Sequence, residues 1–271
     1  MNLQDARVLL TGATGGIGAA TAVALLEQGA SVLLTGRDAA SLQALADSLK
    51  ADAARVAILP ADLTSNADRA RLCKAASTWK GGVNVLINNA GVGQFALLQH
   101  GAAEDAQRVF ASNVIAPIEL CRQLLPHLLR QPYAHILNVG SVFGTIGYPG
   151  YTVYCGTKFA LRGFTEALRR ELSNSRVRVH YLAPRATRTK INSSAVQRLN
   201  ARLGTAVDEP DCVARAALKM LRTESIAQVI GWPEKLFARL NALMPWLVDS
   251  ALAKQLPIIQ AHAGPNARSS S

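Results

Sequence analysis

The chain is poor in the groups that mark several common functions. Its four cysteines, Cys73, Cys121, Cys155 and Cys212, are far apart and form no CxxC pair. Neither a metal site nor a disulfide framework is predicted, and reduced thiols are expected. Aromatic residues make up only 5% of the 271 positions, too few to interleave a basic nucleic-acid surface, so no nucleic-acid partner is expected. Charged residues are scarce at 17% while hydrophobic ones reach 49%, which argues against disorder and allows a sizeable core. No apolar run approaches the roughly 20 residues that span a bilayer. The N-terminal "MNLQDARVLLTG" lacks the long apolar stretch of a secretory signal, so a cytoplasmic location is expected. Acids also lag, with 18 Asp and Glu against 29 Lys and Arg and a net charge of +11. Such an excess suits phosphate-bearing cofactors or anionic headgroups.

What is present is a regular alternation. Short runs rich in Val, Ile and Leu predict buried strands at 7–11, 31–34, 55–59, 83–87, 135–139, 177–182 and 226–230. Helix-length segments lie between them at 17–28, 39–50, 66–79, 105–130, 151–173 and 208–221. The pattern predicts an α/β fold: a Rossmann-type, doubly wound three-layer sandwich around a seven-stranded parallel sheet. No linker divides residues 1–231, which are expected to form one domain. Residues 232–262 predict an apolar helical extension interrupted by Pro245, with Leu236, Leu240, Leu243 and Leu247 on one face beside Phe237, Met244 and Val248. The tail 263–271 is expected to be disordered.

Directly after the first strand stands "TGATGGIG", residues 11–18. Gly12 permits a tight exit from the strand. Gly16 and Gly18 lack the Cβ that would hold a pyrophosphate away from a helix N-terminus, where free N–H groups favour anions. A glycine cluster alone is a weak signal, but between the first strand and the first helix it is a strong one.

This TGxxxGxG spacing, "NNAG" at 88–91 and YxxxK at 154–158, in that order, resemble the short-chain dehydrogenase/reductase family over about residues 5–230. The resemblance implies a nicotinamide dinucleotide held by Gly12, Thr14, Gly16, Ile17, Gly18, Asp62, Leu63, Asn89, Ala90, Gly91, Tyr154, Lys158, Pro184, Thr187 and Thr189. Asp62 would hydrogen-bond the adenine, and Asn88–Gly91 would stabilise the sheet and line the adenosine pocket. Gly36 occupies the position after the second strand where a carboxylate would bind the ribose 2′-hydroxyl, and Arg37 follows it. That favours NADP(H) over NAD(H), although Gly15 stands where NADP-preferring relatives often carry a second cation. Asp38 reads as the N-cap of the next helix.

The resemblance also implies a catalytic tetrad of Asn113, Ser141, Tyr154 and Lys158. Ser141 would hydrogen-bond the substrate oxygen, Tyr154 would act as acid/base and Asn113 would hold a relay water. A lysine one helical turn from a tyrosine is expected to lower the phenol pKa. The segment after the sixth strand departs from the family's PGxVxT: in "APRATRT" Pro184 and Thr189 match, while Arg185 replaces the glycine and Thr187 the valine. Arg185 could reach a substrate anion, contact the pyrophosphate, or face solvent. Arg185, Arg188, Lys190, Arg198 and Arg202 precede any acid until Asp208, in what the resemblance makes a mobile substrate loop.

The expected function is an NADP(H)-dependent oxidoreductase interconverting a small hydrophobic ketone and its secondary alcohol, as a homodimer or homotetramer. Two rivals stand beside it: a nucleotide-sensing scaffold without turnover, and a lipid ketoreductase in weak contact with a membrane surface. The extension is expected to serve as lid or subunit interface in preference to a membrane contact.

Overall fold

A computed structural model describes residues 1–49 and 53–264. Seven parallel strands form one sheet: β1 (Arg7–Thr11), β2 (Ser31–Thr35), β3 (Val56–Ile58), β4 (Val85–Asn88), β5 (Ala134–Val139), β6 (Val177–Ala183) and β7 (Ala227–Val229). Their order across the sheet is β3-β2-β1-β4-β5-β6-β7. The order reverses between β1 and β4, and that reversal opens the crevice where ligands of such sheets bind. Each expected strand is present within two residues of its predicted ends.

The helices are α1 (Gly16–Glu27), α2 (Ala39–Ser48), α3 (Asn66–Thr78), α4 (Ala103–Phe110), α5 (Ala116–Leu128), α6 (Thr152–Glu171), α7 (Ser194–Leu203), α8 (Pro210–Thr223), α9 (Trp232–Leu243) and α10 (Pro245–His262). Successive strand side chains point to opposite faces. Val8 and Leu10 therefore join a core with Leu25 of α1 and Leu221 of α8. Leu9 joins a second core with Leu72, Leu120, Leu124 and Leu168 on the other face. Two buried layers of helix thus sandwich the sheet.

Three expectations need correction. The helix predicted over 105–130 is broken by a π-turn at Ala111–Ile115, where the Ala116 N–H reaches back to the Ala111 carbonyl. The basic segment read as a loop contains α7, N-capped by the Ser193 hydroxyl and closed by Gly204 at φ 62°. In the extension, Leu236, Leu240, Leu243 and Leu247 do not form one buried face: Leu243 is 74% exposed, whereas Val248 and Ile259 are buried. Met244 leaves the helical conformation at φ −140°, so the residues before and after Pro245 lose a common register.

The extension packs on the body. Val248 closes a third apolar cluster with Val142 and Ile146, joined by Leu240 and Leu252. Asn241 donates to the Thr145 carbonyl at 2.9 Å and the Tyr148 hydroxyl to Gln255 at 3.3 Å. Ala263 is buried and its carbonyl accepts from the Leu97 N–H. The rest of the tail expected to be disordered, 265–271, lies outside the described residues, as does Lys50 at the expected end of the second helix.

Candidate active site

The C-terminal ends of β1, β4, β5 and β6 converge on the crevice. At β1 the chain turns through Gly12 at φ 62°, where a Cβ would approach the Ala90 Cα to 2.7 Å. This close approach is fixed by side chains. The Thr11 hydroxyl accepts from the Asn89 and Ala90 N–H groups at 2.9 and 3.0 Å, and the Asn89 amide donates to the Thr11 and Gly12 carbonyls at 3.0 and 3.1 Å. Behind it, Asn88 donates to Asn138 at 2.8 Å and Asn138 to Thr165 at 2.9 Å, a buried polar chain tying β4 and β5 to α6.

Packing alone requires a glycine at 18, because a Cβ there would strike the Gly12 carbonyl. Gly16 faces Thr189, whose Cγ2 a Cβ would meet at 3.0 Å. The Thr189 hydroxyl is buried without a hydrogen-bond partner. The narrow space at Gly16 that a Cβ would fill, beside an unsatisfied hydroxyl and the N-terminus of α1, fits a dinucleotide pyrophosphate.

Farther along the crevice, Gly36 lies near Thr14, and the Ala61 N–H donates to the Gly36 carbonyl, which brings Asp62 beside Arg37 in the chain trace. Arg37 and Asp62 are exposed, and Leu63 packs partly on the second core. The Asp62 carboxylate already accepts from the Thr64 N–H and hydroxyl. Asp38 caps α2 by accepting from the Ser41 N–H at 2.7 Å, as expected.

A cavity of about 850 Å³ occupies the crevice. Of the residues singled out in the sequence, Ile17, Asn89, Gly91, Ser141, Tyr154, Lys158, Pro184, Thr187 and Thr189 line it. Gly12, Thr14, Gly16, Gly18, Arg37, Asp62, Leu63, Ala90 and Asn113 do not, the first eight belonging to the turns that continue the crevice. Asn113 sits behind the wall. The π-turn presents its amide to Val92, accepting from the N–H at 2.8 Å and donating to the carbonyl at 2.9 Å, with a further bond to Thr157. The side-chain amide is therefore committed to Val92 and Thr157. Its Oδ1 lies against Gly91, and so does the Lys158 ammonium.

Ser141 accepts from the Phe143 N–H at 3.1 Å, which fixes its oxygen and leaves its proton to donate. Lys158 is buried, 5.5 Å from the Tyr154 ring centre, with its ammonium donating to the Val139 carbonyl at 3.2 Å. Burial pulls the ammonium down to about 8. Burial also pushes the Tyr154 hydroxyl above the ordinary tyrosine range, with the Ser141 hydroxyl opposing. The expected lowering of Tyr154 by its lysine neighbour is not the balance the structure strikes, because desolvation outweighs the other influences on both groups.

Arg185 lines the cavity, but not as an unpaired cation. Its guanidinium is held by Asp208 and Glu234, and Arg188 pairs with Glu209, so the basic run meets acids supplied from beyond it. Sequence reasoning also missed an aromatic group: Phe95, Phe143, Tyr148 and Tyr151 line the cavity with Tyr154. The signal was the density of rings at 143, 148, 151 and 154 in a chain otherwise poor in them.

A sheet with this reversal, a glycine-rich turn at its first strand and a Ser-Tyr-Lys wall define a dinucleotide-dependent oxidoreductase. The model of the short chain dehydrogenase family matches residues 6–200, and the chain belongs to that family. It is an oxidoreductase acting on CH–OH groups with a nicotinamide dinucleotide. It is 34% identical over 224 residues to nodulation protein G of Rhizobium meliloti, covering 79% of this chain and 90% of that one. A short-chain dehydrogenase/reductase of Burkholderia phymatum in complex with NAD superposes with a TM-score of 0.83 at 26% identity, over 91% of this chain and 96% of the other. A short-chain dehydrogenase of Sphingobium yanoikuyae in complex with NADPH gives 0.74 at 29% identity, over 90% and 96%. Among the described residues no helix is long and apolar enough to cross a membrane.

Proposed function

We propose that the protein reduces a hydrophobic ketone to its secondary alcohol, with Tyr154 as proton donor and NADP(H) as the preferred dinucleotide. One observation carries this reading: Ser141, Tyr154 and Lys158 share a wall of the large cavity that also reaches Gly91, Pro184 and Thr189. The reduced nicotinamide, when bound, supplies a hydride. Ser141 donates to the carbonyl oxygen and orients it, a contact that strengthens as that oxygen gains charge. The Tyr154 hydroxyl then gives its proton to the same oxygen. Lys158, beside Gly91, would hold the ribose hydroxyls and replenish the proton.

The preference for NADP(H) rests on Gly36 in place of an acid and on the exposed Arg37 after it. The NADPH complex from Sphingobium yanoikuyae supports it, while the NAD complex from Burkholderia phymatum pulls the other way. The extension acts as a lid, since Val248, Ala251, Leu252 and Gln255 of α10 line the cavity of their own chain. We further assign the protein to the cytoplasm as a homodimer or homotetramer, on the family's habit. A pure nucleotide sensor would not need Ser141 and Tyr154 on one wall.

The decisive experiment is Tyr154→Phe, assayed by absorbance of the reduced nicotinamide and by cofactor titration. Turnover should fall at least a thousandfold while the cofactor dissociation constant stays within about twofold. Loss of cofactor binding with turnover would overturn the assigned role.

A further inference from the structure

We propose that the cavity beyond Tyr154 is a slot for an aromatic ring, so that the substrate is a neutral aryl ketone or the matching aryl carbinol. The proposal rests on the carbonyl-reduction reading above and adds the chemical class of the group attached to the carbonyl.

The aromatic residues are not scattered. The ring centre of Phe143 lies 5.0 Å from those of both Tyr148 and Tyr151 and 6.4 Å from that of Tyr154. Tyr151 continues the contact to Phe95 at 5.0 Å and to Tyr154 at 5.8 Å. The path from the reacting hydroxyl outward therefore runs over linked rings, all of which line the cavity. All five are only half-buried, so ring surface remains available. The interplanar angles of 23°, 40°, 45°, 61° and 85° mix stacked, tilted and edge-on pairs. Such a wall offers faces and edges together, which an incoming ring exploits by offset or T-shaped contact.

The arrangement is built, not incidental. Phe143 follows Ser141 on a short 3-10 turn whose N–H is fixed by the serine oxygen. Gly150, at φ 82°, lets Phe95 approach to a distance at which a Cβ would lie only 2.7 Å from its ring, and the Ala96 N–H donates to the Gly150 carbonyl at 2.9 Å. Val248, Ala251 and Leu252 of α10 add an aliphatic portion to the lining. Charge argues for a neutral guest. Of the cations that line the cavity, Arg185 is held by two carboxylates and Arg108 pairs with Asp105, while Lys190 stands at its solvent-exposed edge. An alkyl ketone would gain only area here, whereas a ring adds about two- to tenfold in affinity for each well-placed pair.

The test compares acetophenone with cyclohexyl methyl ketone, which has the same number of carbons but no aromaticity. Dissociation constants are measured by calorimetry with saturating NADP+, where no ketone turnover occurs, and rates with NADPH. Acetophenone should bind at least fivefold more tightly, and Phe143→Leu should reduce that ratio to within twofold of unity by weakening acetophenone alone. Equal binding of the two ketones by the wild-type protein, equal losses in the variant, or binding of neither would overturn the slot. The wild-type comparison decides the matter even if the variant folds poorly. Aryl-selective binding without reduction of either ketone would leave the slot standing and remove the carbonyl-reduction reading instead.

Discussion

The guanidinium of Arg185 grips the Asp208 carboxylate at both oxygens, with Nη2 at 2.7 Å and Nε at 3.0 Å. A second carboxylate, Glu234 at the start of α9, lies 3.3 Å from Nη1. One side chain at the end of β6 thus fastens the approach to α8 and the first turn of the extension. The pairing is only partly exposed, and it leaves two acids uncompensated if the arginine is lost. Arg185→Met should therefore destabilise the fold by about 1–2 kcal/mol, between the values for surface and buried pairs. It should also loosen α9, raising KM for a hydrophobic ketone several-fold while the cofactor dissociation constant holds. Hydrogen exchange over residues 232–243 checks the second effect, and unchanged protection there would show that the clasp does not hold the extension.

Gly36 has room for a side chain: a Cβ would meet the Thr14 hydroxyl at 3.6 Å and Leu42 at 3.8 Å, ordinary contact distances. Gly36→Asp should fold normally and place a carboxylate where a 2′-phosphate would lie. The ratio of kcat/KM for NADPH over NADH is expected to fall at least tenfold. An unchanged ratio would count against the assigned cofactor preference.

Lys158 should make the resting protein less stable than it could be. Its pKa is about 8 when folded against the usual 10.5, so between those values the unfolded chain binds more protons and stability rises with pH. Below about 8 the full cost is present, on the order of 3 kcal/mol. Lys158→Met should raise the Tm at pH 7 by several degrees, with the gain shrinking towards pH 10.5, while turnover is lost. A lower Tm at pH 7 would show that the bond to the Val139 carbonyl outweighs the desolvation.

The doubly wound sheet was legible because its strands are continuous apolar runs that helices must cover on both sides. Ser141 and Tyr154 were picked out by the family resemblance, and each stands on a local feature, the turn after β5 and the first turn of α6. What was hidden depended on contacts between distant segments. Arg185 finds partners 23 and 49 residues away, and no local pattern announces either. The π-turn that aims Asn113 at Val92 is invisible to a search for 3.6-residue periodicity, because the sequence on both sides remains a good helix. The α7 signals, Ser193 before and Gly204 after, were present but were outweighed by the resemblance-based expectation of a mobile loop.

The cavity wall draws on two stretches of chain with unlike duties. Everything proposed to touch the reacting oxygen comes from the turn after β5 and from α6, whereas part of the apolar lining is contributed after Gly231 by helices that enter no layer of the sandwich. Exchange of that final portion could retarget the catalyst to differently shaped guests while the machinery for moving a hydride stays as it is.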